Sequence, residues 1–216
     1  MAPRTLKAYG PRWSNLSKVD DSTECSFIHE LGTTTSSLPG RYFIMKSFSE
    51  FNLYQSIKSS LWSSPHSINQ LLNEAYLLAN SEYPIYLFFS LCHSSHFIGF
   101  AEMTSKLCEM NYQLWEKNNK FKNYFNVKWH VIKDIPNYQI RNWKGGEEED
   151  CIRVRNGTEI NTKTGEWLKG IMLWYPIRTH LNMDGEYYQE KENEMIIKRG
   201  LENGIYFIEV VKQESI

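Results

Sequence analysis

The spacing of apolar residues changes several times along this 216-residue chain, and each change predicts an element. Arg41-Tyr42-Phe43-Ile44-Met45-Lys46 is a short apolar run bounded by Gly40 and Ser47, the pattern of a buried first strand. Ser49 with Glu50 marks a helix start, and Leu53, Ile57 and Leu61 at four-residue spacing line one side of a short helix that ends before Trp62-Ser63-Ser64-Pro65. A second helix is predicted from a Ser67 cap, with Leu71, Leu72, Ala75, Tyr76, Leu78 and Ala79 as its apolar stripe. Ile85 to Leu91 and His96 to Met103 flank Cys92-His93-Ser94-Ser95 and predict a central hairpin.

Further on, Tyr124 to Ile132 alternates apolar and polar as a half-buried strand does, so residues 105–123 form a long polar loop before it. Gly145-Gly146 and the acidic run Glu147 to Asp150 form a solvated connection. Ile152 to Ile160 is expected to be a strand pair turning at Asn156-Gly157, and Thr164 to Trp174 a helix of roughly three turns. The stretch from Gly185 carries a charged helix, followed by Ile205 to Val211 as an added strand or helix. Strands and helices interleave throughout, which gives an α/β or α+β class.

Composition divides the chain near residue 40. Residues 1–39 are rich in Ser, Thr, Gly and Pro without an apolar period and are expected to be a flexible leader; residues 40–180 form the domain, and 181–216 an extension packed on it or partly helical. A net charge of -1 offers no bulk attraction for nucleic acid, so such a role must rest on a local basic patch. Cys25, Cys92, Cys108 and Cys151 show neither C-x-x-C pairing nor zinc-like spacing with the His residues, and no long apolar run or signal peptide is present. The expected setting is soluble, reducing and intracellular, either cytoplasmic or nuclear, with no membrane partner. No cofactor is implied.

The residues do not compose an enzyme. Adjacent side chains of a strand point to opposite faces, so Cys92 and His93 cannot act as thiol and base, and neither H-E-x-x-H nor a phosphate-binding glycine loop occurs. Aromatics are a different matter, at 14% of the chain. Trp62 follows a helix end, and Trp115 and Phe121 lie in the long polar loop, where large rings have no local core to fill. With Asn52, whose amide both donates and accepts, they offer walls for a flat ligand such as a stacked base.

Five motifs extend this picture. Arg41-Tyr42-Phe43-Ile44-Met45-Lys46-Ser47, Leu61-Trp62-Ser63-Ser64, Tyr86-Leu87-Phe88-Phe89-Ser90, Ser95-His96-Phe97-Ile98-Gly99-Phe100-Ala101-Glu102-Met103 and Phe125-Asn126-Val127-Lys128-Trp129 occur in the order found in the YTH domain. From Gly40 to about Tyr175 the chain resembles this family, the readers of N6-methyladenosine in RNA. The resemblance implies an open six-stranded β-barrel wrapped by helices, and binding without bond breaking.

It also implies roles. Trp62, Trp115 and Phe121 would be the walls of an aromatic cage around the methylated amine. Asn52 would bond a ring nitrogen of the adenine, with Phe48 and Ser63 contributing backbone groups, and Lys46, Ser47 and Arg155 would contact flanking phosphates. The partner is then RNA containing N6-methyladenosine, bound by a monomer that hands its effect to protein effectors. Two other readings remain open: the same fold reading an unmethylated RNA motif, and a protein-interaction module using the acidic loop and the residues beyond Gly185.

Overall fold

The computed structural model describes residues 40–79, 82–109, 115, 121, 123–143, 150–176, 181 and 185–202. The expected leader, the acidic loop at 145–149 and the segment 205–211 lie outside these residues.

The described chain runs β1 (Arg41–Ser47), α1 (Glu50–Ser59), β2 (Leu61–Trp62), α2 (His66–Ala79), β3 (Ile85–Leu91), β4 (His96–Met103), β5 (Cys108–Glu109), β6 (Asn123–Pro136), α3 (Asn137–Trp143), β7 (Thr158–Ile160), α4 (Thr162–Trp174) and α5 (Gly185–Glu202). It is a mixed α+β fold. The sheet order is β2-β6-β4-β3-β1-β7, with β5 added on β6, so seven strands replace the expected six, and the end strands β2 and β7 do not pair to close a barrel. β1 and β3 are parallel, Ser47 opposite Leu91 at their carboxyl ends, and all other pairings are antiparallel.

Period-two alternation explains the unbroken apolar run of β1. Phe43 and Met45 enter one core, with Leu53, Leu72, Leu87, Phe89 and Tyr188. Tyr42 and Ile44 enter the other, with Phe88, Phe100, Ile140, Leu168 and Met172. Helices α1, α2 and α5 therefore cover one face and α3 and α4 the opposite one, and a strand buried on both faces carries no polar alternation. At Gly99, with φ +140, a Cβ would stand 2.0 Å from the Val131 carbonyl oxygen, so the close approach of β4 and β6 requires glycine there.

Ser49 caps α1, its Oγ accepting from the Asn52 N–H at 3.3 Å. Three expectations are corrected. Ser67 lies inside α2, whose first turn instead closes on the Pro65 carbonyl through the Ile68 and Asn69 N–H groups. The α2 stripe buries Asn69, Leu72, Ala75 and Ala79, and leaves Leu71 and Leu78 exposed at 43% and 80%. Only Thr158–Ile160 of the expected 152–160 strand pair is a strand, because Asn156 and Gly157 dock on β1 rather than turning back on Ile152–Val154.

Helix α5 packs on the domain. Tyr188 stacks on Tyr54 of α1 at 4.6 Å between centroids, Lys58 pairs with Glu192 at 2.6 Å, and the Lys191 ammonium lies 5.1 Å from the Phe51 ring centre. Among the described residues no helix is long and apolar enough to cross a membrane.

Candidate nucleic-acid interface

Trp62 sits on the two-residue strand β2, opposite Phe125 of β6. Strand pairing fixes its backbone, and a buried polar network fixes the Ser63–Ser64 loop beyond it. The indole Nε1 donates to Ser64 Oγ at 3.0 Å, the Ser64 N–H donates to Asn69 Oδ1 at 2.8 Å, and Asn69 Nδ2 donates to the Asn123 carbonyl at 2.9 Å. Ser63 is buried and donates its hydroxyl to that same carbonyl at 2.7 Å. The ring stands edge-on to Phe89 at 4.7 Å, and Phe89 in turn packs on Trp129 at 4.6 Å.

The structure brings Trp115 to Trp62, with ring centroids 5.2 Å apart and planes at 62°. Both are almost fully buried, at 1% and 4% exposure, and Phe121, half-buried, packs against the same core cluster. Trp62 and Trp115 are thus in direct contact, and Phe121 borders the same core cluster. The two indoles meet edge to face rather than as parallel plates.

Asn52 lies on the first turn of α1, close to the carboxyl ends of the parallel strands β1 and β3, where open α/β sheets present their ligand crevices. Phe48, at the same end, is 82% exposed. Ser47 is buried, its hydroxyl donating to the Ser49 carbonyl at 2.7 Å and its own carbonyl accepting from the Cys92 N–H at 2.8 Å. Its side chain is therefore committed to the β1–α1 connection rather than offered to a phosphate.

Lys46 and Arg155 come together through a turn. The Lys46 N–H donates to Asn156 Oδ1 at 2.8 Å and the Gly157 N–H to the Ile44 carbonyl at 2.8 Å, which pins the exposed Arg155 beside the end of β1. Gly157 has φ +79, the left-handed conformation this turn needs. The Lys46 ammonium donates to the Ile152 carbonyl at 2.6 Å. Burial lowers its pKa, opposed by Cys92, Cys151 and Asp150, and burial pushes the Cys92 thiol up, opposed by Lys46.

The supporting residues Asn69, Ser64 and Phe89 were missed in the sequence. Asn69 had a readable signal: it lies three residues before Leu72 on the buried side of α2, where an amide must find partners. Among the described residues no group of three or more His, Cys, Asp or Glu is placed to hold a metal ion.

Residues 40–173 match the family model of the YT521-B-like domain, YTH. Human YTH domain-containing family protein 3 is 33% identical over 157 residues, covering 72% of this chain and 27% of that protein. Human YTH domain-containing family protein 2 is 33% identical over 161 residues, with the same coverage, so the chain spans 27% of the length of these relatives. The crystal structure of the Pho92 YTH domain in complex with m6A superposes with a TM-score of 0.58 at 29% identity, over 69% of this chain and 96% of that one. The YTH domain of Zygosaccharomyces rouxii MRB1 in complex with N6-methyladenosine RNA gives 0.56 at 26% identity, over 67% and 95%. With the family model covering most of the chain and its motifs lying on the strands that build the sheet, this protein belongs to the YTH family.

Proposed function

We propose that this protein reads N6-methyladenosine in single-stranded RNA, holding one flipped-out base in an aromatic cage. The observation that carries the reading is the meeting of Trp62 and Trp115, distant in sequence, at one point of the core. The Pho92 and MRB1 domains, similar in fold and sequence, are described with m6A and with N6-methyladenosine RNA.

The two indoles are almost fully buried against each other, so a base reaches a ring face only as they part from their 5.2 Å contact. The methyl group then adds on the order of 1 kcal/mol of burial, and the amine keeps one N–H for a backbone carbonyl at Ser63 or its neighbours. Phe121 forms the third wall, and Asn52 bonds a ring nitrogen of the adenine. Phe48 contributes backbone groups and its exposed ring. Lys46 and Arg155 contact flanking phosphates, and Ser47 shapes the turn that carries them. The RNA-binding unit is residues 40–180, and α5 braces it through α1. Binding completes the activity, and protein effectors carry the signal to RNA fate.

Calorimetric titration with two short RNAs differing only by one N6-methyl group tests the reading. Preference for the methylated RNA, lost in Trp62→Ala, supports it. Equal affinity for both, untouched by Trp62→Ala, favours an unmethylated motif read on another face.

A further inference from the structure

Two hollows adjoin at the end of the sheet next to the proposed adenosine site. One, of about 290 Å³, lies among Lys46, Phe48, Cys92 and His93; the other, of about 320 Å³, lies among His96, Pro136, Tyr138 and Arg141. Ser95 and Asn137 line both, so together they form one track leading away from Lys46.

The second hollow has the chemistry of a nucleotide site. Tyr138 is 52% exposed and presents a ring, and Arg141 is exposed. The Oδ1 of Asn137 is enclosed and accepts no hydrogen bond. An enclosed amide oxygen without a donor is costly, and a base N–H is a donor that relieves it. The His96 Nδ1 lies 2.5 Å from the Ser94 carbonyl oxygen, which holds the ring against the hairpin turn. The Asn137 N–H donates to the Ser95 carbonyl at 2.8 Å and holds the start of α3 against the hairpin turn, so the lining is built rather than loose. Among the described residues no carboxylate lines either hollow.

We infer that the hollow between the β3–β4 turn and α3 holds a second nucleotide of the same RNA strand, its base stacked on Tyr138 with an N–H on Asn137 Oδ1 and its phosphate on Arg141. The inference rests on the RNA-reading function proposed above. It makes the Lys46–Arg141 track a length-dependent part of the binding surface.

The test compares N6-methyladenosine nucleoside with a nine-nucleotide RNA carrying the same base centrally among mixed flanks, titrated into the full chain. Tyr138→Ala, an exposed position that leaves both cores intact, is expected to weaken the nine-nucleotide RNA roughly fivefold or more, the loss of one stacked base, and to leave the nucleoside unchanged. Arg141→Gln is expected to make the salt dependence for the longer RNA shallower by about 0.7 in the log–log slope. If both variants bind the longer RNA like the parent while Trp62→Ala loses the methyl preference, the second site is overturned and the reader function stands. If the parent shows no methyl preference but RNA binding still falls in Tyr138→Ala, the second site stands and the reader function is overturned. Absence of any RNA binding by the parent overturns both.

Discussion

Trp62 on β2 and Trp115 in the segment before β6 meet edge to face, with ring centroids 5.2 Å apart and an interplanar angle of 62°. Each ring closes the core for the other, and in the proposed cage each would present a face to a base. On that proposal, replacing either one is expected to affect binding and stability together.

Trp62→Ala is expected to weaken methylated RNA roughly 5- to 150-fold, the range for one stacked base at about 1–3 kcal/mol. The same change removes a buried indole and is expected to cost about 3–5 kcal/mol of stability. Trp62→Phe, which keeps a ring against Phe89, should retain most of the stability. Titration on samples checked by circular dichroism separates the two effects, and an alanine variant with undiminished methyl preference would remove Trp62 from the cage.

Asn69 holds both sides of the Ser63–Ser64 loop. Asn69→Leu orphans the Ser64 N–H and the amide's share of the Asn123 carbonyl, so a loss of about 1–3 kcal/mol is expected in urea denaturation. Methyl-dependent affinity should fall with it, although Asn69 is proposed to touch no RNA. Unchanged affinity in the folded variant would mean that Trp62 keeps its place without this network.

Lys46 and Arg155 are proposed to contact phosphates, which predicts a salt signature rather than a loss of discrimination. Lys46→Gln and Arg155→Gln should each flatten the slope of log affinity against log salt by about 0.7 and leave the ratio of methylated to unmethylated affinity unaltered. A changed ratio with an unchanged slope would place these side chains on the base instead.

Tyr175 packs in the second core, and burial, reinforced by the charge of ionised Tyr138, pushes its hydroxyl up from 10.0 to about 12. The folded protein therefore holds that proton where the unfolded chain has released it. This contribution is complete below about pH 10 and is lost as pH rises from 10 towards 12. Urea midpoints measured at pH 9 and pH 11 should fall less in Tyr175→Phe than in the parent, and an identical fall would mean that other groups carry the alkaline loss.

Tyr188 joins α5 to α1, the helix that bears Asn52. Tyr188→Ala removes the stack on Tyr54 and a buried side chain, so a loss of about 3–5 kcal/mol is expected in thermal or urea unfolding. A much smaller loss would mean that α5 rests on α1 through its charged contacts alone.

Most elements were legible because their signals are local. The β1 run, the Ser49 cap of α1, the β3–β4 hairpin and the helix ending at Trp174 come from short-range spacing, and the structure places each of them. The misreadings share one cause. Ser67 resembles a cap until Pro65 supplies the carbonyl from outside the expected start, and Leu71 and Leu78 resemble core until the sheet chooses which side of α2 to cover. Propensity and periodicity name a helix, whereas the neighbouring layer decides its buried face.

By itself the sequence determined the interleaved α+β class, the family and the presence of three aromatics with an amide upstream, since these depend on residue identity and spacing. Only the tertiary structure decided that β2 pairs with β6, which carries Trp62 to the core where Trp115 meets it, and that Asn156 and Gly157 dock on β1 to bring Arg155 beside Lys46. Those relationships join residues far apart along the chain. They arise from long-range strand pairing and two-sided burial, which no local pattern encodes.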